Sequence, residues 1–228
     1  MKRDRTSVIF RERSAAIWSA IHAHPFVRGI GSGELSRERF EHYLRQDYVY
    51  LIEFSRVLAV ASAKSWSLSD MGYFAKLLHA TLEFEMALHE RTCAEFGIGI
   101  EELEKVEPSL VTTAYASFLV RTCYEGGPAD ILAALLPCEA GYLEIAETLR
   151  GEGLPANRHY RDWIETYSSA EFRGFAEWVA DKLDEHTLGA PARDVERWYG
   201  LYLTSARFEL SFFEMGWSRE TWPVLPPG

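Results

Sequence analysis

Apolar residues recur at three- and four-residue spacing along almost all of this 228-residue chain, and no stretch alternates convincingly between apolar and polar. That periodicity belongs to helices, so the chain is expected to be all-α. Helices are expected at about 7–23, 36–65, 70–96, 109–124, 128–150, 156–168, 169–187 and 191–217. Ser36 suits a helix N-cap with Glu38 in the following turn, and Ser69-Asp70 marks another start. Pro108, Pro128 and Pro191 sit at or just before helix starts, where a missing N–H costs little. Glycine-bearing breaks fall at 29–33, 97–99, 126–127 and 151–153. The first has no preceding strand and no following Gly-Lys-Ser/Thr, and reads as a turn and not a phosphate loop. No repeat or linker divides the sequence, so residues 1–228 are expected to form a single helical domain with an extended tail, 219–228. Segments 47–63 and 131–136 are apolar nearly all round, which marks central helices with room for a pocket between them.

Charge and composition exclude several partners. With 24 Lys and Arg against 34 Asp and Glu, the net charge is −10. Nucleic acid and anionic membranes call for a basic face, so neither is an expected partner. Three cysteines, Cys93, Cys123 and Cys138, show no paired spacing and fit reduced thiols in a cytoplasm. No apolar run approaches the roughly 20 residues that span a bilayer. The N-terminus lacks the apolar core of a signal peptide. A cytoplasmic protein is expected.

Cys138 follows Pro137 in the middle of a helical stretch, 131–142. Proline frees the carbonyl four residues back and bends the rod, so a thiol beside it can face a cavity. A lone cysteine among apolar neighbours is more often a small core residue, and that reading holds outright for Cys93 and Cys123. Asp47, Tyr50 and Phe54 share one helical face, and Glu209 and Phe212 repeat the arrangement near the end. A carboxylate on such a face must be paired or must meet a ligand, since an isolated buried charge costs several kcal/mol. The ordinary alternative pairs Asp47 with an arginine, and Glu209 with Arg207 or Arg56. Tyr142 shares the face of Cys138, whereas Tyr115 and Tyr167 suit core or pocket equally. A thiol, two acids and aromatic rings together suit chemistry on a flat heteroaromatic molecule.

The order and spacing of these segments resemble the TenA, or thiaminase II, family. His24-Pro-Phe26 with Gly33-Glu-Leu35 resembles its "HPF…G.L", and residues 40–51 resemble "F..YL.QD..YL". Glu85-Met-Ala-Leu-His89 resembles "EM..H", and residues 136–145 resemble "LPC.WGY.EI". Residues 163–172 resemble "WI..Y.S.EF", and residues 207–215 resemble "R.E..FW.M". Two positions depart from the pattern: Ala140 and Phe213 stand where the family has tryptophan, which bears on pocket shape. Cys138 places the chain closest to the cysteine-bearing branch, since another branch lacks that residue.

The resemblance implies a heme-oxygenase-like helical bundle, assembled as a homotetramer, that hydrolyses aminopyrimidines in thiamin salvage. The implied substrate is 4-amino-5-aminomethyl-2-methylpyrimidine, converted to the 5-hydroxymethyl compound with release of ammonia. Cys138 would be the nucleophile, Glu209 the proton donor to a ring nitrogen, and Asp47 the group that holds the amino edge. Tyr115, Tyr142 and Tyr167 would line the pocket, with Tyr50, Phe54 and Phe212 sandwiching the substrate ring. Neither a cofactor nor a metal would be required. Two alternatives fit the same residues. One is a metal-dependent oxidase of the same fold using Glu85 and His89, or a haem role for His22 or His24. The other is a non-catalytic aminopyrimidine binder.

Overall fold

Helix α9, Pro128–Glu152, runs through the middle of the molecule and determines where the rest can sit. Its residues Ile131 to Leu136 are all buried, as the absence of a polar stripe requires. The computed structural model describes residues 5–223. In chain order the other helices are α1 Thr6–Arg13, α2 Ala15–Ala23, α3 Pro25–Ser32, α4 Arg37–Lys64, α5 Leu68–Ala80 and α6 Met86–Glu95. They continue as α7 Ile100–Leu103, α8 Leu110–Glu125, α10 Arg158–Tyr167, α11 Ala170–Thr187 and α12 Ala192–Ser218. A π-helical turn, Thr81–Glu85, joins α5 to α6. No strand occurs among the described residues. Helix α9 packs against α8, α10, α11 and α12, while α4 packs against α5, α8 and α12. One continuous apolar core fills the space between them.

Several local expectations need correction. The span 7–23 is two helices, because Ser14 turns its hydroxyl onto the Phe10 carbonyl and competes with the helical ladder there. The span 70–96 is interrupted by the π turn, and its start is Ser67, whose hydroxyl accepts from the Asp70 N–H. Residues 25–32 are helix α3, not a turn, with the His24 ring accepting from the Phe26 N–H as its cap. Gly29 and Gly31 sit inside α3 because neighbours crowd them. A Cβ on Gly31 would come within 2.6 Å of Leu149. Gly33 ends the helix at φ 81°, a conformation that favours glycine. Ser36 occupies the N-cap of α4 but makes no capping hydrogen bond. Part of the expected tail, 224–228, lies outside the described residues. Residues 220–223 are not helical, and the Trp222 indole donates to the Pro108 carbonyl.

Gly141 lets α9 approach α2. A Cβ there would sit 2.4 Å from the ring of Trp18, which is held by hydrogen bonds to Ser14 and Tyr202. Gly141→Ala would gain about 1 kcal/mol of helix propensity. Overpacking a fully buried indole costs about 1–3 kcal/mol and should prevail. We expect a melting temperature lowered by several degrees in calorimetry; an unchanged or higher value would contradict this packing.

Candidate active site

The π turn and α6 begin the construction. A π turn is one residue wider than an α turn, so it resets the register of everything after it, and such turns concentrate at functional sites. Glu85 is its last residue, and its carboxylate accepts from the Tyr167 hydroxyl at 2.9 Å. One turn on, His89 Nε2 meets Asp47 Oδ2 at 2.6 Å, while Nδ1 faces the Glu85 carbonyl at 3.1 Å. Both ring nitrogens therefore face acceptors. Burial alone would push the imidazole down, but the charge and hydrogen bond of Asp47 carry it above its ordinary value. The partner of Asp47 is thus a histidine and not the arginine of the ordinary alternative. Asp47 Oδ1 has no hydrogen-bond partner among the described residues.

Glu209, on α12, likewise has no arginine partner among the described residues. It accepts from the Tyr115 hydroxyl, which in turn bonds to Ser205 at 2.9 Å. Burial, with the charge of Asp47 adding to it, pushes its carboxyl up to about 8. Cys138, on α9, is only partly buried, and the Tyr50 hydroxyl donates to its sulfur at 3.5 Å. Burial and the nearby charges of Glu209 and Glu139 drive the thiol well above its ordinary value. The resting group is therefore the thiol. The hydroxyls of Tyr50, Tyr115, Tyr142 and Tyr167 are likewise pushed up by burial and stay protonated donors.

These groups surround one cavity between the helices. All nine residues singled out in the sequence line it: Asp47, Tyr50, Phe54, Tyr115, Cys138, Tyr142, Tyr167, Glu209 and Phe212. Leu51, Glu85, Glu139 and Phe172 complete the wall; of these the sequence drew attention only to Glu85, and then as a ligand of the metal-dependent alternative. Glu85 and Phe172 lie within recognised motifs, but Glu139 falls on a variable position and carried no sequence signal. Four carboxyls and no lysine or arginine line this space.

Tyr50 is in contact with both of the phenylalanines expected beside it. Tyr50 packs directly on Phe54 and Phe212, with centroids 5.8 and 5.6 Å apart. A slot for a third ring needs about 7 Å, twice a van der Waals contact. No third ring therefore fits between Tyr50 and either phenylalanine. Ala140 and Phe213 are absent from the cavity wall; Phe213 is buried behind Tyr142, with centroids 5.7 Å apart. The two departures from the motif thus leave the lining itself unaltered.

The possible metal and haem ligands are engaged elsewhere. His89 is held at both nitrogens, and His22 and His24 each face a glutamate, Glu144 and Glu214, at 3.0 Å. No cluster of three or more histidine, cysteine or acidic residues suited to a metal occurs among the described residues.

The fold is heme-oxygenase-like. A protein of Shewanella denitrificans described as a domain of unknown function with that fold superposes with a TM-score of 0.73 at 16% identity, covering 93% of this chain and 92% of that one. The chain belongs to the TENA/THI-4/PQQC family, whose profile matches residues 11–219. It is 39% identical over 212 residues to an aminopyrimidine aminohydrolase of Halalkalibacterium halodurans, across 92% of this chain and 95% of that protein. A Silicibacter structure described as a TenA family transcription regulator superposes with a TM-score of 0.87 at 35% identity, covering 95% of this chain and 99% of that one.

Proposed function

We propose that this protein is a cysteine-dependent aminopyrimidine aminohydrolase of the thiaminase II type, acting in thiamin salvage. The observation that carries the reading is that Cys138, Glu209 and Asp47, from three distant helices, line one cavity. The substrate would be 4-amino-5-aminomethyl-2-methylpyrimidine. Its ring would lie against Tyr50, Phe54 and Phe212 with its amino edge on Asp47 Oδ1. The His89 contact fixes that carboxylate in place.

A substituent on an aromatic CH₂ leaves only when the ring can push electrons toward it. Glu209, protonated at neutral pH, donates to a ring nitrogen and makes the ring electrophilic. The resulting carboxylate can take the Cys138 proton, so one residue serves both demands. The sulfur then bonds to ring carbon 6, and the carbon 5–6 π pair moves to form an exocyclic double bond. The C–N bond breaks with its electrons going to nitrogen. Water adds at the exocyclic carbon, the ring double bond returns, and the sulfur leaves. The sum is R–CH₂–NH₃⁺ plus water giving R–CH₂–OH plus NH₄⁺. This is covalent catalysis, which divides one difficult displacement into easier steps. Thiamin would be hydrolysed by the same route as a side reaction.

The regulator described for the Silicibacter structure gains no support from a chain with a net charge of −10. One continuous core supports a single-domain reading of the chain. A homotetramer accords with apolar side chains left open to solvent: Trp66, Leu68 and Leu188 are 72%, 84% and 87% exposed. Three free cysteines fit a cytoplasmic setting, and no described helix is long and apolar enough to cross a membrane.

Purified protein incubated with the aminomethylpyrimidine should release one ammonia per hydroxymethyl product, at a rate unaffected by a chelator. Tight binding without ammonia would point to a carrier. Loss of activity on chelation would point to the metal-dependent alternative.

A further inference from the structure

Beside the inner cavity lies a second, wider one, open on the side of α5, the π turn, α10 and α11. The two share four residues: Glu85, Glu139, Tyr167 and Phe172. These side chains form the threshold between the inner space and the outside. Two of them are carboxylic acids.

Glu139 is the unusual member. It is 95% buried, at 5% exposure, yet its carboxyl has no hydrogen bond or ion pair among the described residues and lines both cavities. A buried carboxyl without a protein partner is costly unless a ligand supplies one. Arg91 lines the outer cavity only and pairs with neither threshold acid. Glu85 is partly satisfied, since one of its oxygens accepts from Tyr167.

We infer that Glu139, assisted by Glu85, is a cation subsite that takes the ammonium group on the exocyclic carbon of the substrate. The inference rests on the hydrolase reading above and adds a specificity determinant to it. An alkyl ammonium keeps its proton at neutral pH. Only in that form can the nitrogen depart as neutral ammonia, because an unprotonated amine would have to leave as an anion. Glu139 thus selects cationic leaving groups and holds them in the state that can go. Without ligand, burial and the Glu85 and Glu209 charges push the Glu139 carboxyl up to about 8, and burial with the Asp47 charge raises Glu85 to about 7. An arriving cation reverses that cost by favouring the ionised carboxylates.

The test uses calorimetric binding in a Cys138→Ser background, where turnover is blocked. The ligands are the aminomethylpyrimidine and its neutral hydroxymethyl counterpart. Adding Glu139→Gln should weaken the aminomethyl ligand about tenfold, the scale of a charge-assisted hydrogen bond, and the hydroxymethyl ligand less than about twofold. Retained affinity for the neutral ligand shows that the variant is folded. Equal weakening of both ligands, or of neither, overturns the subsite. If the variant does not fold, Glu85→Gln should shift the same ratio in the same direction, and an unchanged ratio overturns the inference. Turnover by wild type with no ratio change removes the subsite and leaves the hydrolase. A tenfold ratio with no wild-type turnover removes the hydrolase and leaves a cation-binding pocket.

Discussion

Cys138→Ser should lower ammonia release from the aminomethylpyrimidine by about 10³-fold or more, within the scale seen when the nucleophile of a covalent mechanism is removed. Serine keeps the side-chain shape but presents an alcohol, a much weaker nucleophile than sulfur toward a ring carbon. Affinity for the product should change little, because the contact that the Tyr50 hydroxyl makes with the sulfur is long, at 3.5 Å, and serine can accept in its place. The decisive comparison is single-turnover ammonia release by the two proteins at equal substrate saturation. Equal rates would remove the covalent step. Absence of turnover in both, with tight binding retained, would make the protein a carrier.

Glu209→Gln should have the next largest effect, a loss of about 10²–10⁴-fold in turnover, the usual worth of a positioned proton donor. Glutamine can still accept from Tyr115, so the change should spare the fold and reach the proton. The pH profile separates this role from a structural one. Burial, then Asp47, raises the Glu209 carboxyl to about 8. A group raised in this way is protonated below pH 8 and loses its proton as pH rises through that value. Wild-type turnover should therefore decline above about pH 8, and that limb should be absent from the variant. A basic limb that survives in Glu209→Gln would assign it to another group.

The helices were largely legible because burial writes a period into the sequence. The span expected at 128–150 is helix Pro128–Glu152, and that expected at 36–65 is Arg37–Lys64. The misreadings share a cause in tertiary contact. Residues 25–32 look like a turn because of their glycines, yet Gly31 is required inside a helix by Leu149, a residue far away in sequence. The π turn at Thr81–Glu85 leaves no mark in composition, since one extra residue per turn changes direction and not hydrophobicity. The side-chain partners of Glu85 and His89 are set by tertiary contact in the same way. His89 reaches across to Asp47 on α4, and the Glu85 carboxyl reaches Tyr167 on α10.

What the amino-acid order determined alone was the helical class and a set of chemically capable side chains whose i, i+3 and i+4 spacing puts them on common faces. Those are local properties, set by backbone geometry within a few turns. The tertiary structure alone decided that α4, α8, α9 and α12 turn those faces toward one cavity, and that histidine rather than arginine serves Asp47. It also decided that Glu139, one position beyond the thiol, lines both cavities without a hydrogen-bond partner among the described residues. The packing of distant helices sets the solvation of each carboxyl, and solvation decides which acids hold protons at neutral pH.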